Sequence, residues 1–414
     1  MALAPDVKVS QARLIAEEWK RAWRPGVAAL AAGSLCYSLF PAVSSLFVEP
    51  LEQQFGWTRG EIALVHSFGL VTAFAAPVIG RLTDRFGVKP ILSIGILLTI
   101  FGYVLLALMK GSLSYYYAAY FIFSVAGLAT TGITVTRVIS GAFDRTRGTA
   151  LAISRSGLAV VGALMPMLLF PVLVRYGTAG GYLLLGAFMM SIAFPLVRLW
   201  LPKHQAVTRT ASGAAHGHAD GWRELLSKPK VRILIAASVF NYVPVVALMS
   251  QLKPLAVEKG LDTVAAVGAL SVMGAAAAFG ALLSGVLVDR YWAPAVAFIL
   301  NLAPAMGCLL LLQADVPLWI FYCSVLLVGL GQGAEIDIVA FMIARYFGLR
   351  SYATIYSLST LGIALGVAVG SSLIGRAYDE FGNYDMALMA TSASFAIAAL
   401  CYLAMGRYPE QVPD

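Results

Sequence analysis

Twelve apolar runs of membrane-spanning length divide this chain, centred near residues 37, 70, 100, 126, 161, 190, 241, 275, 303, 328, 365 and 395. A segment needs about 20 apolar residues to cross a hydrocarbon core of roughly 30 Å. Inside that core only helices and closed barrels pair every backbone group. Because the runs lack the alternation of barrel strands, they predict an all-α membrane protein with twelve transmembrane helices. Only 12% of the residues are charged, against about 25% in soluble domains.

The basic residues are divided unevenly between the two sides of the membrane. With a cytoplasmic N terminus, the inner segments hold 21 lysines and arginines. The outer loops hold six, which are Arg59, Lys110, Arg175, Lys253, Lys259 and Arg376. This is the positive-inside bias, so both termini are predicted to be cytoplasmic. The net charge of +8 therefore reflects membrane topology, and we expect no nucleic-acid partner.

Two polar stretches set the domain boundaries. Residues 1–26 form a cytoplasmic N-terminal segment, whose charged and apolar positions predict a short amphipathic helix on the inner leaflet. Residues 202–230 form a polar cytoplasmic linker. The linker joins a six-helix half at 27–201 to a second six-helix half at 231–408. Neither the linker histidines nor the four dispersed cysteines predict a metal site.

A charged turn between apolar runs occurs once in each half. The segment Gly80–Lys89 reads GRLTDRFGVK, and a weaker copy about 205 residues later keeps Gly285, Asp289 and Arg290. The repeat is longer than the turn, because residues 127–154 align with 329–357 at an offset of 202–203. Two pseudo-repeats of six helices are therefore predicted, with a solute site between them near the middle of the membrane.

These segments resemble the major facilitator superfamily, whose loop between the second and third helices matches Gly80–Lys89 at nearly every position. Residues 50–69 (PLEQQFGWTRGEIALVHSFG), 333–356 (GAEIDIVAFMIARYFGLRSYATIY) and 375–384 (GRAYDEFGNY) are typical of bacterial relatives of the monocarboxylate transporters. The resemblance covers the whole chain. It implies transport by alternating access, often coupled to protons and usually of small organic anions, in a bacterial inner membrane.

The chain departs from those relatives in its predicted eighth helix. Many of them have an arginine after a glycine where this chain has Gly280 and Ala281. The first helix also lacks the lysine of the animal members, so either anion recognition comes from elsewhere or the substrate is not a simple monocarboxylate. The alanine-rich eighth helix leaves room for a bulky or apolar solute. The fifth helix lacks the Gly-Pro-x-x-Gly-Gly pattern of drug/proton antiporters, which disfavours efflux.

The resemblance assigns the charged turns to conformational switching. Asp84 is expected to cap a neighbouring helix and latch the cytoplasmic side shut, while glycines allow close approach and a tight turn. The predicted gating residues are Gly80, Asp84, Arg85, Gly87, Asp289 and Arg290. The simpler interpretation, in which the basic side chains only anchor the topology, is compatible with this role.

Four charged residues lie within predicted spans, where an ionised side chain costs about 2.5–3.5 kcal/mol on insertion scales. They are Arg137, Arg155, Glu335 and Asp337. The arginines come from the N-terminal half and suit an organic anion, while the carboxylates come from the C-terminal half and suit proton coupling. The alternative is a permanent salt bridge. Glu335 and Asp337 point about 200° apart on a helix, and we expect Glu335 to face the cavity and Asp337 to pack against a helix.

Further polar groups lie in helices of the cavity type. Tyr37, Asn241, Gln332 and Tyr356 are candidate solute ligands, and His66 is a candidate proton-coupling group. A lone histidine in an apolar span is more often hydrogen-bonded in packing.

The leading hypothesis is a monomeric, proton-coupled importer of a small mono- or dicarboxylate, a class that includes aromatic acids. Its expected partners are the solute, protons and lipid. The alternative is an exporter or antiporter of a larger amphipathic solute. An enzyme is not expected, because the sequence has no catalytic triad, metal cluster or phosphate loop, and no cofactor is predicted.

Overall fold

The computed structural model describes residues 5–143, 146–202, 222–313, 316–348 and 352–409. Over these ranges the secondary structure is helical, without strands. The N-terminal helices are α1 (Pro5–Leu35), α2 (Phe40–Val43), α3 (Ser45–Phe55), α4 (Arg59–Ala63), α5 (Phe68–Ala73), α6 (Ala76–Phe86), α7 (Val88–Ala107), α8 (Leu113–Gly127), α9 (Gly132–Ala142), α10 (Arg147–Phe188) and α11 (Phe194–Trp200). Short 3₁₀ turns lie at Tyr37–Leu39, Leu64–Ser67 and Leu128–Thr130, and a π-helical turn lies at Met189–Ala193.

The C-terminal helices are longer and less broken. They are α12 (Trp222–Ser227), α13 (Pro229–Glu258), α14 (Thr263–Arg290), α15 (Ala293–Leu310), α16 (Leu318–Phe347), α17 (Tyr352–Phe381) and α18 (Asp385–Ala404).

Nine helical stretches in the described part of the chain are long and apolar enough to cross a membrane. A tenth results if Arg13–Leu35 and Tyr37–Val43, which meet at 45°, form one broken span. The stretch Thr149–Trp200 contains a non-helical residue, Gly177, with φ of 65°, where the predicted fifth and sixth spans meet. The all-helical membrane fold is therefore confirmed, while the count of twelve spans remains a prediction.

The N-terminal segment is continuous with the first predicted span. Instead of ending near residue 26, α1 runs unbroken through Pro25 to Leu35. Two tryptophans fix its first half against the bundle. Trp19 lies 4.8 Å from Phe143 and Trp23 lies 5.1 Å from Trp200, measured between ring centroids. A separate short helix is therefore not observed.

Small residues bring the C-terminal helices close together. A Cβ atom at Gly280 would lie 2.2 Å from the Leu330 carbonyl oxygen, and one at Gly333 would lie 1.8 Å from the Ala277 carbonyl oxygen. Membrane helices pack this closely through small residues because lipid supplies no hydrophobic drive for association. At these points the small residues of α14 are covered by α16. They do not enlarge a solute cavity there, contrary to our expectation for the eighth span.

Three sets of contacts join the N-terminal helices to the C-terminal ones. In the first set, α4 and α5 of the second predicted span pack against α17. In the second set, α2 and α3 of the first predicted span pack against α13. In the third set, α10 packs against α14. We call the end of the bundle that holds Gly56–Thr58, Lys110, Gly260 and Gly382–Tyr384 the turn face. The opposite end, which holds Gly87, Leu201 and Gly348, is the linker face.

Candidate functional site

An arginine–aspartate pair joins the two halves between α10 and α16. Arg155 Nη1 donates to Asp337 Oδ1 at 2.5 Å. The two side chains are 50% and 36% exposed, so the pair borders open space and is not sealed in a core. Exposed ion pairs contribute only about 0–1 kcal/mol. A second carboxylate can therefore compete for Arg155 at small cost.

Two tyrosines surround this pair. Tyr356 on α17 lies within electrostatic range of Arg155 and Asp337, and Tyr242 on α13 lies within range of the same two groups. Four helices thus contribute one guanidinium, one carboxylate and two phenols. A guanidinium binds a carboxylate through two parallel hydrogen bonds, and phenol hydroxyls can donate further ones. The arrangement suits a small organic anion.

The two carboxylates of α16 have the reverse of their expected positions. Glu335 is only 2% exposed, whereas Asp337 lines the open space. As predicted, the two side chains point in different directions, but we assigned them to the wrong surroundings. The reason lies in packing, because Glu335 points into the C-terminal bundle, where Tyr242 and Tyr402 approach it. Neither carboxylate oxygen of Glu335 has a hydrogen-bond partner among the described residues.

Asn241 and Gln332 have their described contacts within the C-terminal bundle and not with this pair. Asn241 is 1% exposed and lies beside Tyr402 in the same buried group as Glu335. Gln332 Nε2 donates to Met249 Sδ at 2.9 Å, which links α16 to α13. We therefore place both predicted ligands in the C-terminal bundle.

Arg137 is separate from Arg155. Its Nη1 donates to the Gly80 carbonyl oxygen at 3.0 Å, which ties α9 to α6 within the N-terminal half. This contact connects two predicted residues, but it gives Arg137 a structural bond where we predicted a solute ligand.

Tyr37 and His66 belong to an aromatic cluster in the N-terminal half. The Tyr37 ring lies 5.1 Å from Phe123, and a Cβ atom at Gly127 would lie 2.3 Å from that ring. His66 Nδ1 lies 3.4 Å from the Tyr120 hydroxyl. This is the packing arrangement that we gave as the simpler alternative for a lone histidine.

A family model described as "Major Facilitator Superfamily" matches residues 27–371 of the chain. The chain belongs to the major facilitator superfamily. Its fold, its continuous match and its relatives together identify this facilitator as a membrane transporter and not an enzyme.

The curated relatives include monocarboxylate transporters. Human monocarboxylate transporter 2 is 24% identical over 395 residues, covering 89% of this chain and 81% of the relative. Monocarboxylate transporter 13 of Bos taurus is 24% identical over 388 residues, covering 92% and 87%. A crystal structure of the nucleoside transporter NupG superposes with a TM-score of 0.74 at 12% identity, covering 93% of this chain and 98% of that one. The last match shows the fold alone. The facilitator is related to the monocarboxylate transporter family.

The predicted gating turn of this facilitator has the expected backbone. Gly87 has φ of 87° between α6 and α7, a conformation that glycine adopts without steric cost. The side chain of Asp84 lies outside the described part, so its capping role stays a prediction. Arg85 is exposed beside Phe86, and Asp289 and Arg290 are exposed at the end of α14.

From the sequence, the basic residues of the turn face indicate only the membrane topology. In the structure, Arg59 and Lys253 form contacts between the halves. Residues 50–69 and 375–384, the two segments typical of the family, contact each other in the structure. The presence of both segments in one sequence is the feature that could have predicted this contact.

Proposed function

We propose that this facilitator imports a small carboxylate together with a proton. The observation that supports the proposal is the half-exposed Arg155–Asp337 pair between the halves. In this pair a guanidinium already binds a carboxylate. The pair also lies at the boundary between the two halves, which must move relative to each other during alternating access. The relationship to monocarboxylate transporters points to the same class of solute.

In this proposal the solute carboxylate takes the place of Asp337 on Arg155. Tyr356 on α17 and Tyr242 on α13 lie within electrostatic range of that position. Many relatives bind the anion with an arginine of the eighth span, where α14 has Ala281. In this proposal Arg155 of α10 supplies the guanidinium in its place. Binding of the anion also leaves Asp337 as an unpaired carboxylate, which is costly away from water unless it gains a proton.

Proton coupling follows from that competition. When Asp337 is protonated, it releases Arg155 and the anion binds without a competitor. The anion and the proton are therefore taken up together. We assign Glu335 a different state. Its carboxyl is buried and has no hydrogen-bond partner among the described residues, and such a group is far less costly as the neutral acid. Glu335 thus becomes the secondary candidate for proton coupling, and Asp337 the primary one.

Uptake into proteoliposomes tests the proposal. A short monocarboxylate, a dicarboxylate and an aromatic acid, each labelled, are offered with and without an acidic outside pH. We expect at least one acid to accumulate only when the gradient is imposed. If no acid accumulates, proton-driven import is wrong.

Two variants locate the site once an acid is found. Arg155→Ala should reduce uptake at least tenfold, because the charged hydrogen bonds to the carboxylate are lost. Arg198→Ala, which removes an exposed arginine at the linker face, is the matched control and should transport normally. Asp337→Asn should lose accumulation but keep solute exchange. Loss of accumulation in Glu335→Gln instead would transfer the coupling role to Glu335.

Export of a larger amphipathic solute is the second candidate. It drew support from the small residues of α14, but Gly280 is packed against α16. The same vesicles test it, because an exporter or antiporter responds to the opposite pH gradient.

A further inference from the structure

At the turn face, Arg59 of the N-terminal half is inserted among residues of the C-terminal half. Its Nη1 donates to the Tyr384 hydroxyl at 2.8 Å, and its Cζ lies 3.7 Å from the centroid of the Tyr378 ring. The side chain is only 14% exposed and also contacts Glu52 at 3.3 Å. A guanidinium over an aromatic face is stabilised by the ring quadrupole, and more so when water is excluded.

Tyr384 connects Arg59 to the buried residue Gln251 of the C-terminal half. Its hydroxyl donates to Gln251 Oε1 at 2.8 Å while accepting from Arg59. Burial raises the pKa of the Tyr384 phenol, so the phenol keeps its proton for this bond. The adjacent residue of α13 is Ser250, which is 2% exposed and lines, together with Gln251 and Phe40, a cavity between the halves.

Asp379 on α17 caps the first turn of α4 in the other half. Its two carboxylate oxygens accept from the backbone N–H groups of Arg59 at 3.1 Å and Gly60 at 2.9 Å. These are N–H groups that a helix cannot pair internally, and a carboxylate there also faces the positive end of the helix. The cap belongs to the opposite half, so it exists only while the halves touch.

Glycines set the distance between the halves at this point. A Cβ atom at Gly375 would lie 2.7 Å from the Arg59 carbonyl oxygen, and one at Gly60 would lie 2.6 Å from Asp379 Oδ2. Any larger residue would push α4 and α17 apart. Both glycines therefore fit a surface that is built for contact.

Lys253 makes the reciprocal contact. It belongs to α13 of the C-terminal half and is inserted against the N-terminal half, where its Nζ contacts Glu49 at 2.5 Å and lies 5.8 Å from the centroid of the Phe170 ring. Its side chain is 5% exposed. Each half thus inserts one cation into the other, and each cation lies beside a carboxylate and an aromatic ring.

We propose that Arg59, Asp379, Tyr384, Lys253 and Glu49 form a gate that closes the turn face, with Asp379 as the residue that holds α4 in register. We call this set the turn-face gate. A solute that reaches Arg155 from the turn face must pass between the helices that the gate joins. The gate is independent of which solute the protein transports.

Cysteine labelling tests the gate without any solute. In a variant whose four native cysteines are replaced, Ser250→Cys places a thiol in the cavity between the halves. The probe is a membrane-impermeant maleimide, applied to vesicles of each orientation. A separate Lys110→Cys variant, at an exposed turn-face position, identifies the orientation in which the reagent meets that face.

Asp379→Asn should raise the labelling rate of that thiol about twofold to fivefold, the effect of removing a carboxylate charge from an exposed helix N terminus. Glu380→Gln, a neighbouring exposed carboxylate, is the control and should leave the rate unchanged. An unchanged rate in a normally folded Asp379→Asn overturns the gate. An equal rise in Glu380→Gln overturns it too, because the effect would then be general loosening.

Gly375→Ala supplies an independent variant. Alanine favours the helix but clashes with Arg59 only when the halves touch, so the protein should stay folded and label faster. If Asp379→Asn does not fold, an unchanged rate in Gly375→Ala refutes the gate. Failure of carboxylate uptake would leave these results unaffected, since no solute is present.

Discussion

Asp337→Asn is expected to strengthen the binding of a carboxylate solute rather than weaken it. In the wild type, Asp337 holds Arg155 through one contact at 2.5 Å. The amide keeps the shape and an acceptor oxygen but removes the negative charge. The anion therefore no longer has to displace a charged competitor.

The exposure of the pair sets the size of this gain. With side chains 50% and 36% exposed, the contact falls in the range of about 0–1 kcal/mol measured for exposed pairs. Removing it should tighten solute binding by the same energy, which is about fivefold at most. A buried pair would behave differently, because breaking it costs about 3–5 kcal/mol and would disturb folding.

Ligand-dependent thermal stabilisation of the purified protein measures this affinity. A ligand that binds only the folded state raises stability by RT ln(1 + [L]/Kd), so a titration gives Kd for the acid that the uptake panel identifies. The titration is carried out on the wild type and on Asp337→Asn at the same pH, and the variant should have the smaller Kd.

Weaker binding in Asp337→Asn would refute this reasoning, because it would make Asp337 a ligand of the solute and not its competitor. A large loss of melting temperature would refute it in a second way, by showing that the pair is a permanent structural bridge. Glu380→Gln serves as the control for a change of net charge, and its affinity should equal that of the wild type.

Three further outcomes are expected. Gly280→Ala should destabilise the protein by about 1–3 kcal/mol through overpacking against α16, whereas Gly285→Ala, which meets no atom within 4 Å, should be neutral or slightly stabilising in thermal unfolding. Glu335→Gln should melt like the wild type, since it replaces a neutral acid by a neutral amide, and a fall of many degrees would indicate an ionised carboxylate. Arg137→Met should lower the melting temperature without changing solute affinity, because Arg137 donates to the Gly80 carbonyl oxygen within its own half. A tenfold weaker affinity would show that Arg137 is a solute ligand.

The sequence predicted the helices and the class of protein well, because both depend on patterns along the chain. The apolar runs and the repeated turn at Gly80–Lys89 suffice for a helical transporter of two related halves. The break at Gly177 lies between the two predicted spans centred near residues 161 and 190. Hydrophobic periodicity and glycine conformation are local properties that need no tertiary information.

The sequence did not predict how each helix is rotated about its own axis. It indicated that Glu335 and Asp337 point apart, but not which of them meets Arg155, because that depends on how α16 packs against its neighbours. Arg137 and Arg155 have equal charge and similar predicted depth, yet Arg137 donates to a carbonyl oxygen of its own half and Arg155 donates to a carboxylate of the other half. Contacts between residues about 300 positions apart, such as Ser67 with Ser372, leave no local pattern at all.

The two sets of charges between the halves differ in burial, and that difference constrains the transport cycle. Arg155 and Asp337 are 50% and 36% exposed. At the turn face the cations Arg59 and Lys253 are only 14% and 5% exposed, while their carboxylate partners Glu52 and Glu49 are 38% and 37% exposed. Removing one partner of a buried pair is costly, while exchanging a partner of an exposed one is not. A solute can therefore enter the Arg155 contact readily, but the energy of one such exchange is too small to open the turn-face gate.

Opening must be offset by contacts that form elsewhere as the gate parts, since a ligand shifts an equilibrium only by its differential affinity for the two states. The linker face is the place where such contacts can form when the halves rock, and the Gly80–Lys89 turn lies there with its glycine hinge at residue 87. We therefore expect the two ends to be matched in energy. Asp379→Asn weakens the turn-face gate, and an equal weakening of the linker-face turn should compensate for it. Asp84→Asn in the same chain should therefore restore the slow labelling of the thiol at position 250. Fast labelling in the double variant would show that the two faces are not coupled.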